Sequence, residues 1–199
     1  MVLFIISVSL LLLVVITKLF LGIPYGKHLI TAGNHVSRPA YGFWLPSLYR
    51  LSYNNEIKWI KARVTIIGTK YYHNDLRDQR DINKILGYST NMWQHHHKNS
   101  IRIGWRYNLE NREVEIFAYM YDNGQRQSIL LTTYHSIDIV KFDVEMCTTN
   151  SNHVIMIDDK CLTLPISVTP KKFGWVLKPY FGGNRVAPHD ISFEIEKLK

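Results

Sequence analysis

The sequence predicts an all-β domain, an antiparallel two-sheet β-sandwich of jelly-roll type, with one short helix and an N-terminal hydrophobic helix. Three observations predict it. From Ile57 onward apolar and polar residues alternate in run after run, the period-two signature of strands with one buried face. The runs, about nine of them, are short and separated by turn-forming residues. Strands with a single apolar face need a second sheet to cover it, and helix signals occur at one place only.

In chain order, residues 2–23 are nearly continuous apolar sequence, interrupted by Lys18. As a helix they would reach about 33 Å at 1.5 Å per residue, enough to cross a bilayer core. No basic segment precedes the run and no small-x-small cleavage motif follows it, so residues 1–23 read as a transmembrane anchor or uncleaved signal segment. Lys27 and Arg38 follow the run, and the positive-inside tendency would keep the domain in the cytoplasm. A short leader ahead of an aromatic-rich all-β domain argues for export instead, and we expect a membrane-anchored domain outside the cytoplasm. Residues 24–56 are rich in Pro, Gly, Asn, Ser and Tyr without a sustained period, and read as a spacer partly packed on the domain. The β-sandwich itself is expected over 57–199.

Within that domain Ile60, Ala62, Val64 and Ile66 alternate with Lys61, Arg63 and Thr65. Residues 74–86 carry the helix signals, with Asn74 or Asp75 as N-cap and Gly87 as terminator. Ile101, Ile103, Trp105 and Tyr107 then alternate with Arg102, Gly104 and Arg106. Asn123-Gly124, between the runs Glu113 to Tyr121 and Arg126 to Tyr134, is the strongest hairpin signal in the chain. Further strands are expected at Ser136 to Met146, His153 to Ile157, Cys161 to Leu164, Phe173 to Tyr180 and Asp190 to Glu196.

The formal net charge is +8 and is unevenly spread. Residues 24–112 hold fourteen Lys/Arg against five Asp/Glu, whereas residues 113–199 hold nine against eleven. A basic first half favours an anionic partner: nucleic acid, anionic lipid or an acidic polysaccharide. No run of five Lys/Arg occurs and no RNA-recognition or zinc-finger motif is present, so no nucleic acid is expected. Cys147 and Cys161 lack the C-x-x-C spacing of a zinc site or thioredoxin pair, and either one disulfide or two thiols fits them.

Candidate chemistry gathers in two stretches. His95-His96-His97 lies just ahead of the alternating run, but adjacent side chains of an extended chain point to opposite faces, so at most two converge. Ligands from elsewhere, such as His189-Asp190, would have to complete a metal site, and neither metal nor cofactor is expected. Glu113 and Glu115 share a strand face, about 6–7 Å apart, a spacing compatible with glycoside hydrolysis but commoner in solvated strands. The second stretch, Lys178 to Asp190, combines Gly182-Gly183 with Pro179 and Pro188, so its path is specified, and it carries Tyr180, Asn184, Arg185 and His189.

The all-β pattern closing on Asp190-Ile-Ser-Phe-Glu-Ile-Glu resembles the concanavalin A-like lectin and glucanase jelly rolls, which implies glycan binding or cleavage on one sheet. The glucanase signature Glu-x-Asp-x-x-Glu is absent. Asn99-Ser-Ile-Arg-Ile-Gly-Trp-Arg, together with Pro179-Tyr-Phe-Gly-Gly-Asn and Ala187-Pro-His-Asp, is also similar to small bacterial proteins of unassigned function. The expectation is a membrane-tethered domain that binds an anionic glycan. Trp93, Tyr119, Tyr121 and Tyr180 are its stacking candidates, and Asn99, Arg102, Arg106, Asn184 and His189 its polar contacts. The alternatives are a lyase or hydrolase on a uronate-containing glycan, and a non-catalytic envelope protein whose aromatic residues fill the core.

Overall fold

The computed structural model describes residues 25–36, 38–39, 49–53, 59–90, 96–135, 138–171 and 173–199. In chain order the strands are β1 (Gly26–Ile30), β2 (Arg38–Pro39), β3 (Tyr49–Tyr53), β4 (Trp59–Ile67), β5 (Asn83–Ser89), β6 (Ser100–Asn108) and β7 (Glu113–Asp122). They continue with β8 (Gln125–His135), β9 (Ile139–Thr148), β10 (Asn152–Ile157), β11 (Lys160–Pro165), β12 (Phe173–Leu177) and β13 (Ile191–Lys197); one helical turn, α1 (Leu76–Gln79), precedes β5. They form a seven-stranded sheet, β11-β10-β9-β4-β13-β1-β2, and a six-stranded sheet, β3-β12-β5-β6-β7-β8, antiparallel throughout. This is the two-sheet β-sandwich that the alternation predicts.

The period-two pattern decides what lies between the sheets. Ile101, Ile103, Trp105 and Tyr107 of β6 and Val114, Ile116, Ala118 and Met120 of β7 are buried in one core with Ile60, Ala62, Val64 and Ile66 of β4 and Phe142, Val144 and Met146 of β9. Trp105 is fully buried, edge-on to Tyr71 with centroids 5.6 Å apart and 6.5 Å from Phe193 of the opposite sheet. The Asn123-Gly124 hairpin forms as expected: both residues have positive φ, 48° and 84°, the backbone of a two-residue turn matched to strand twist.

One expectation is corrected. The helix expected over 74–86 is only Leu76–Gln79, capped by the Asp75 carboxylate accepting from Arg77 N–H at 2.8 Å, and Asn83 already begins β5. Pairing with β6 and burial of Ile85, Leu86 and Tyr88 outweigh a charged, weakly amphipathic helical pattern. A register shift between Lys84 and Leu86 places Ile85 and Leu86 both in the core, which hides the strand's period from sequence. Residues 24–56, expected as a spacer partly packed on the domain, supply β1, β2 and β3, paired with β13, β1 and β12 respectively. Residues 2–23 lie outside the described residues, among which no helix is long and apolar enough to cross a membrane. Cys147 and Cys161 sit on β9 and β11 with β10 between them and form no disulfide.

A polar link crosses the core. His153 of β10 meets the Thr148 hydroxyl of β9 through Nδ1 at 2.7 Å, and that hydroxyl also meets the Tyr88 hydroxyl of the six-stranded sheet. Burial pushes His153 down to about 4, so it is held neutral. The unfolded chain, with an ordinary histidine pKa near 6.5, binds the extra proton below that pH, so this contribution is complete above about 6.5 and is lost as pH falls towards 4. Denaturant unfolding should show stability dropping by roughly 3 kcal/mol between pH 7 and pH 4, and His153→Gln should remove that part of the slope.

Candidate functional site

Residues that alternate with the core on β5, β6, β7, β8 and β12 share the outward face of the six-stranded sheet. Register arranges them in rows about 6–7 Å apart. One row runs Tyr180, Lys84, Gly104, Phe117, Leu130; the next Leu177, Gly87, Arg102, Tyr119, Ser128; the third Trp175, Ser89, Ser100, Tyr121, Arg126. Three cations thus run diagonally across the face among five aromatic rings. The Lys84 ammonium lies over the Tyr119 ring, 4.6 Å from its centroid. The Tyr119 and Tyr121 hydroxyls are 3.5 Å apart, and the His97 imidazole stacks on Tyr121 with centroids 5.1 Å apart.

His97 is held there by backbone bonds at the base of its loop. Thr90 N–H donates to the Asn99 carbonyl at 3.2 Å, and Gly124 N–H donates to the Lys98 carbonyl at 2.9 Å. Arg102 needs the missing side chain of Gly87: a Cβ there would collide with the Ile101 carbonyl oxygen and come within 2.9 Å of Arg102 Cγ.

The titrating groups register a positive field. Burial first, then Arg102, pull Lys84 down to about 8; Asp81 opposes them, and Arg126 adds a smaller downward pull. Burial, then Arg102 and Lys84, lower His97, leaving it neutral at pH 7. Burial and then Tyr121 push Tyr119 up to about 12, with Arg126 opposing.

The structure brings together Arg102, Tyr119, Tyr121 and Tyr180 of the residues singled out from sequence. Tyr180 stacks on His35, centroids 5.4 Å apart, and pairs its backbone with Lys84. Arg106 shares the face but is committed two rows from Arg102: its guanidinium pairs with the buried Glu115 carboxylate, which also accepts from Asn108 at 2.9 Å, and it covers the Phe117 ring. Glu113 Oε1 lies 3.1 Å from His135 Nε2, so Glu113 and Glu115 both face side-chain partners on the sheet. Asn99 is buried, its side-chain carbonyl accepting from Asn123 N–H at 2.8 Å, and it fastens the His97 loop to the hairpin. Asn184 is exposed in the loop after Tyr180. His189 is bonded to the carbonyls of Lys70 and Asp190, at the end of β4 in the other sheet. Trp93 and His95 lie outside the described residues; among the described ones no three His, Cys, Asp or Glu side chains gather as metal ligands.

Sequence reasoning missed Lys84, Arg126 and Trp175. Arg126 was within reach: a two-residue Asn-Gly turn sets Tyr121 opposite Arg126. Lys84 was hidden by the helix expected over its segment.

No protein-family pattern matches the chain, and no curated protein matches it. Among solved structures it is similar to an alginate lyase from Alteromonas sp. 272, with 6% identity and a TM-score of 0.43 over 71% of this chain and 74% of that one. It is also similar to a functionally unknown protein from Saccharomyces cerevisiae, with 11% identity and a TM-score of 0.46 over 87% and 89%. A carbohydrate-binding module from Bacillus subtilis gives 13% identity and a TM-score of 0.35 over 88% and 84%. At such scores the likeness is one of outline, and the site must be read from its own residues.

If Gly87 is what lets Arg102 lie across β5, Gly87→Ala should lower stability by about 1–3 kcal/mol, seen as a drop in Tm of several degrees, because the added methyl meets backbone that must shift.

Proposed function

We propose that the protein binds an anionic saccharide on the outward face of the six-stranded sheet. The observation that carries this reading is the convergence of Lys84, Arg102 and Arg126 with Tyr119 and Tyr121 in adjacent rows. Aromatic rings offer flat apolar surface to the C–H faces of a sugar, and guanidinium and ammonium groups give charge-assisted hydrogen bonds to its acid groups. Trp175 and Tyr180 extend the aromatic surface towards β12 and the C-terminal loop. Residues 1–23 would tether this domain to a membrane, with the binding face outside the cytoplasm.

Calorimetry of the full chain with acidic and neutral oligosaccharides tests this. Binding should be confined to the acidic ones and weaken as salt rises from 50 to 200 mM, roughly as surface charge pairing is screened. Arg126→Ala at an exposed position of the face and Tyr121→Ala at a half-buried one should each weaken it about tenfold, the worth of one good polar or stacking contact. Equal affinity for neutral sugars, or no effect of either variant, would count against it.

A second reading is favoured by one observation, the His97 imidazole stacked on Tyr121 beside the cations, where burial and then Arg102 and Lys84 lower its affinity for a proton. In a β-elimination, Lys84 and Arg102 would neutralise a uronate carboxylate, His97 would take the adjacent carbon-bound proton, and a tyrosine hydroxyl would protonate the departing glycosidic oxygen. Ultraviolet absorbance from unsaturated uronate products should then appear and be lost in His97→Ala; steady absorbance with a panel of polyuronates leaves binding alone.

A further inference from the structure

We infer that Lys84 is the residue through which this face senses an acid group of its ligand, and that the acid group is bound together with a proton. The inference rests on the reading that the face binds an acidic saccharide. It goes beyond that reading in naming the group that changes protonation.

Lys84 is fixed from both sides. Its backbone N–H donates to the Tyr180 carbonyl at 2.8 Å and its carbonyl accepts from Tyr180 N–H at 2.9 Å, while Gly104 of β6 pairs with it on the other edge. The ammonium lies over the Tyr119 ring and beside Gly182, only 2.9 Å from where a Cβ at that glycine would stand. It is therefore held on the face. The charged and titrating groups that act on it come from every neighbouring element: Asp81 before β5, Arg102 on β6, Tyr119 on β7, Arg126 on β8 and His97 from the loop before β6.

Two of these are guanidiniums, which stay charged at any pH a protein survives. Only Lys84 can relieve the crowding of positive charge by shedding a proton, and burial favours its doing so. Its lowered pKa, about 8, agrees with this. A carboxylate or sulfate ester entering among the three cations reverses the balance: it adds negative charge in a half-buried site and favours the ammonium. Both acid groups remain ionised from pH 6 to 9, so the proton must come from solvent and go to the amine nitrogen of Lys84; no bond of the saccharide is broken.

The test is calorimetry of the full chain with a galacturonate hexasaccharide, a sulfated hexasaccharide and neutral cellohexaose. At pH 8 the titrations are run in two buffers of different ionisation enthalpy, so that proton uptake is counted directly. An acidic hexasaccharide should take up about half a proton per site at pH 8, and its affinity should fall about tenfold between pH 6.5 and pH 9, as linkage requires for a group near 8 when free whose proton the bound acid group holds about a hundredfold more tightly. Lys84→Arg should abolish the uptake at pH 8. Burial, Arg102 and Lys84 hold His97 below the ordinary histidine range, so any uptake it contributes belongs to more acidic solution and should survive in that variant. Uptake with the uronate only, or with the sulfate ester only, supports the inference and says which acid group the face takes. Acidic hexasaccharides that bind with no uptake at pH 8, or an uptake unchanged in Lys84→Arg, overturn it while the saccharide reading stands. Binding of none of the three sugars removes both.

Discussion

The outward face of the six-stranded sheet is fixed by what the inward face buries. On β6 and β7 the same residues that send Ile101, Ile103, Trp105, Val114, Ile116 and Ala118 into the core alternate with those that carry Arg102, Tyr119 and Tyr121 outward. A one-residue slip would exchange the two sets, driving arginine into the core and tryptophan into water. Trp105, packed between Tyr71 and Phe193, makes such a slip expensive, because both sheets close on it. The position of the cations is thus a consequence of core packing as much as of local sequence.

Cross-strand partners then decide what each arginine can do. Arg102 and Arg106 are four residues apart on the same face of one strand and look equivalent in sequence. Register places Tyr119 opposite the first and Glu115 opposite the second. Arg106 is consequently bound in an ion pair with a buried carboxylate, which removing either partner would leave uncompensated. Arg102 instead joins Lys84 and Arg126 in a shared positive field, felt by His97 from a separate loop. One strand therefore supplies a structural clamp at one end and the candidate site at the other.

Much of the sandwich was legible in the sequence: β4 and β6 can be drawn from their clean alternation, and β7 and β8 from the Asn123-Gly124 turn between two strand-forming runs. Two kinds of element were not. At β5 the register shift beside Lys84 breaks the alternation, and a preceding capped turn lends the segment a helical look. β1, β2 and β3 are short, and the partners of β1 and β3, β13 and β12, are more than a hundred residues away, so local sequence holds little of the reason for their conformation. The candidate site suffers from the same limits: Arg102, Tyr119, Tyr121 and Tyr180 were visible as alternating or loop residues, whereas Lys84 and Trp175 depend on pairings no local pattern reveals. Asn99, Asn184 and His189 were chosen for their chemistry, and the fold spends Asn99 and His189 on holding loops.

The central claim is that one face of one sheet meets the ligand. Mapping backbone amide chemical shifts of the full chain during titration with an acidic hexasaccharide tests it most directly. The account predicts perturbations clustered on β5, β6, β7, β8 and β12 around Lys84, Arg102, Tyr121 and Trp175, and spectra unchanged along β9, β10 and β11. Perturbations centred on the seven-stranded sheet, or on the His189 end of β4, would contradict it.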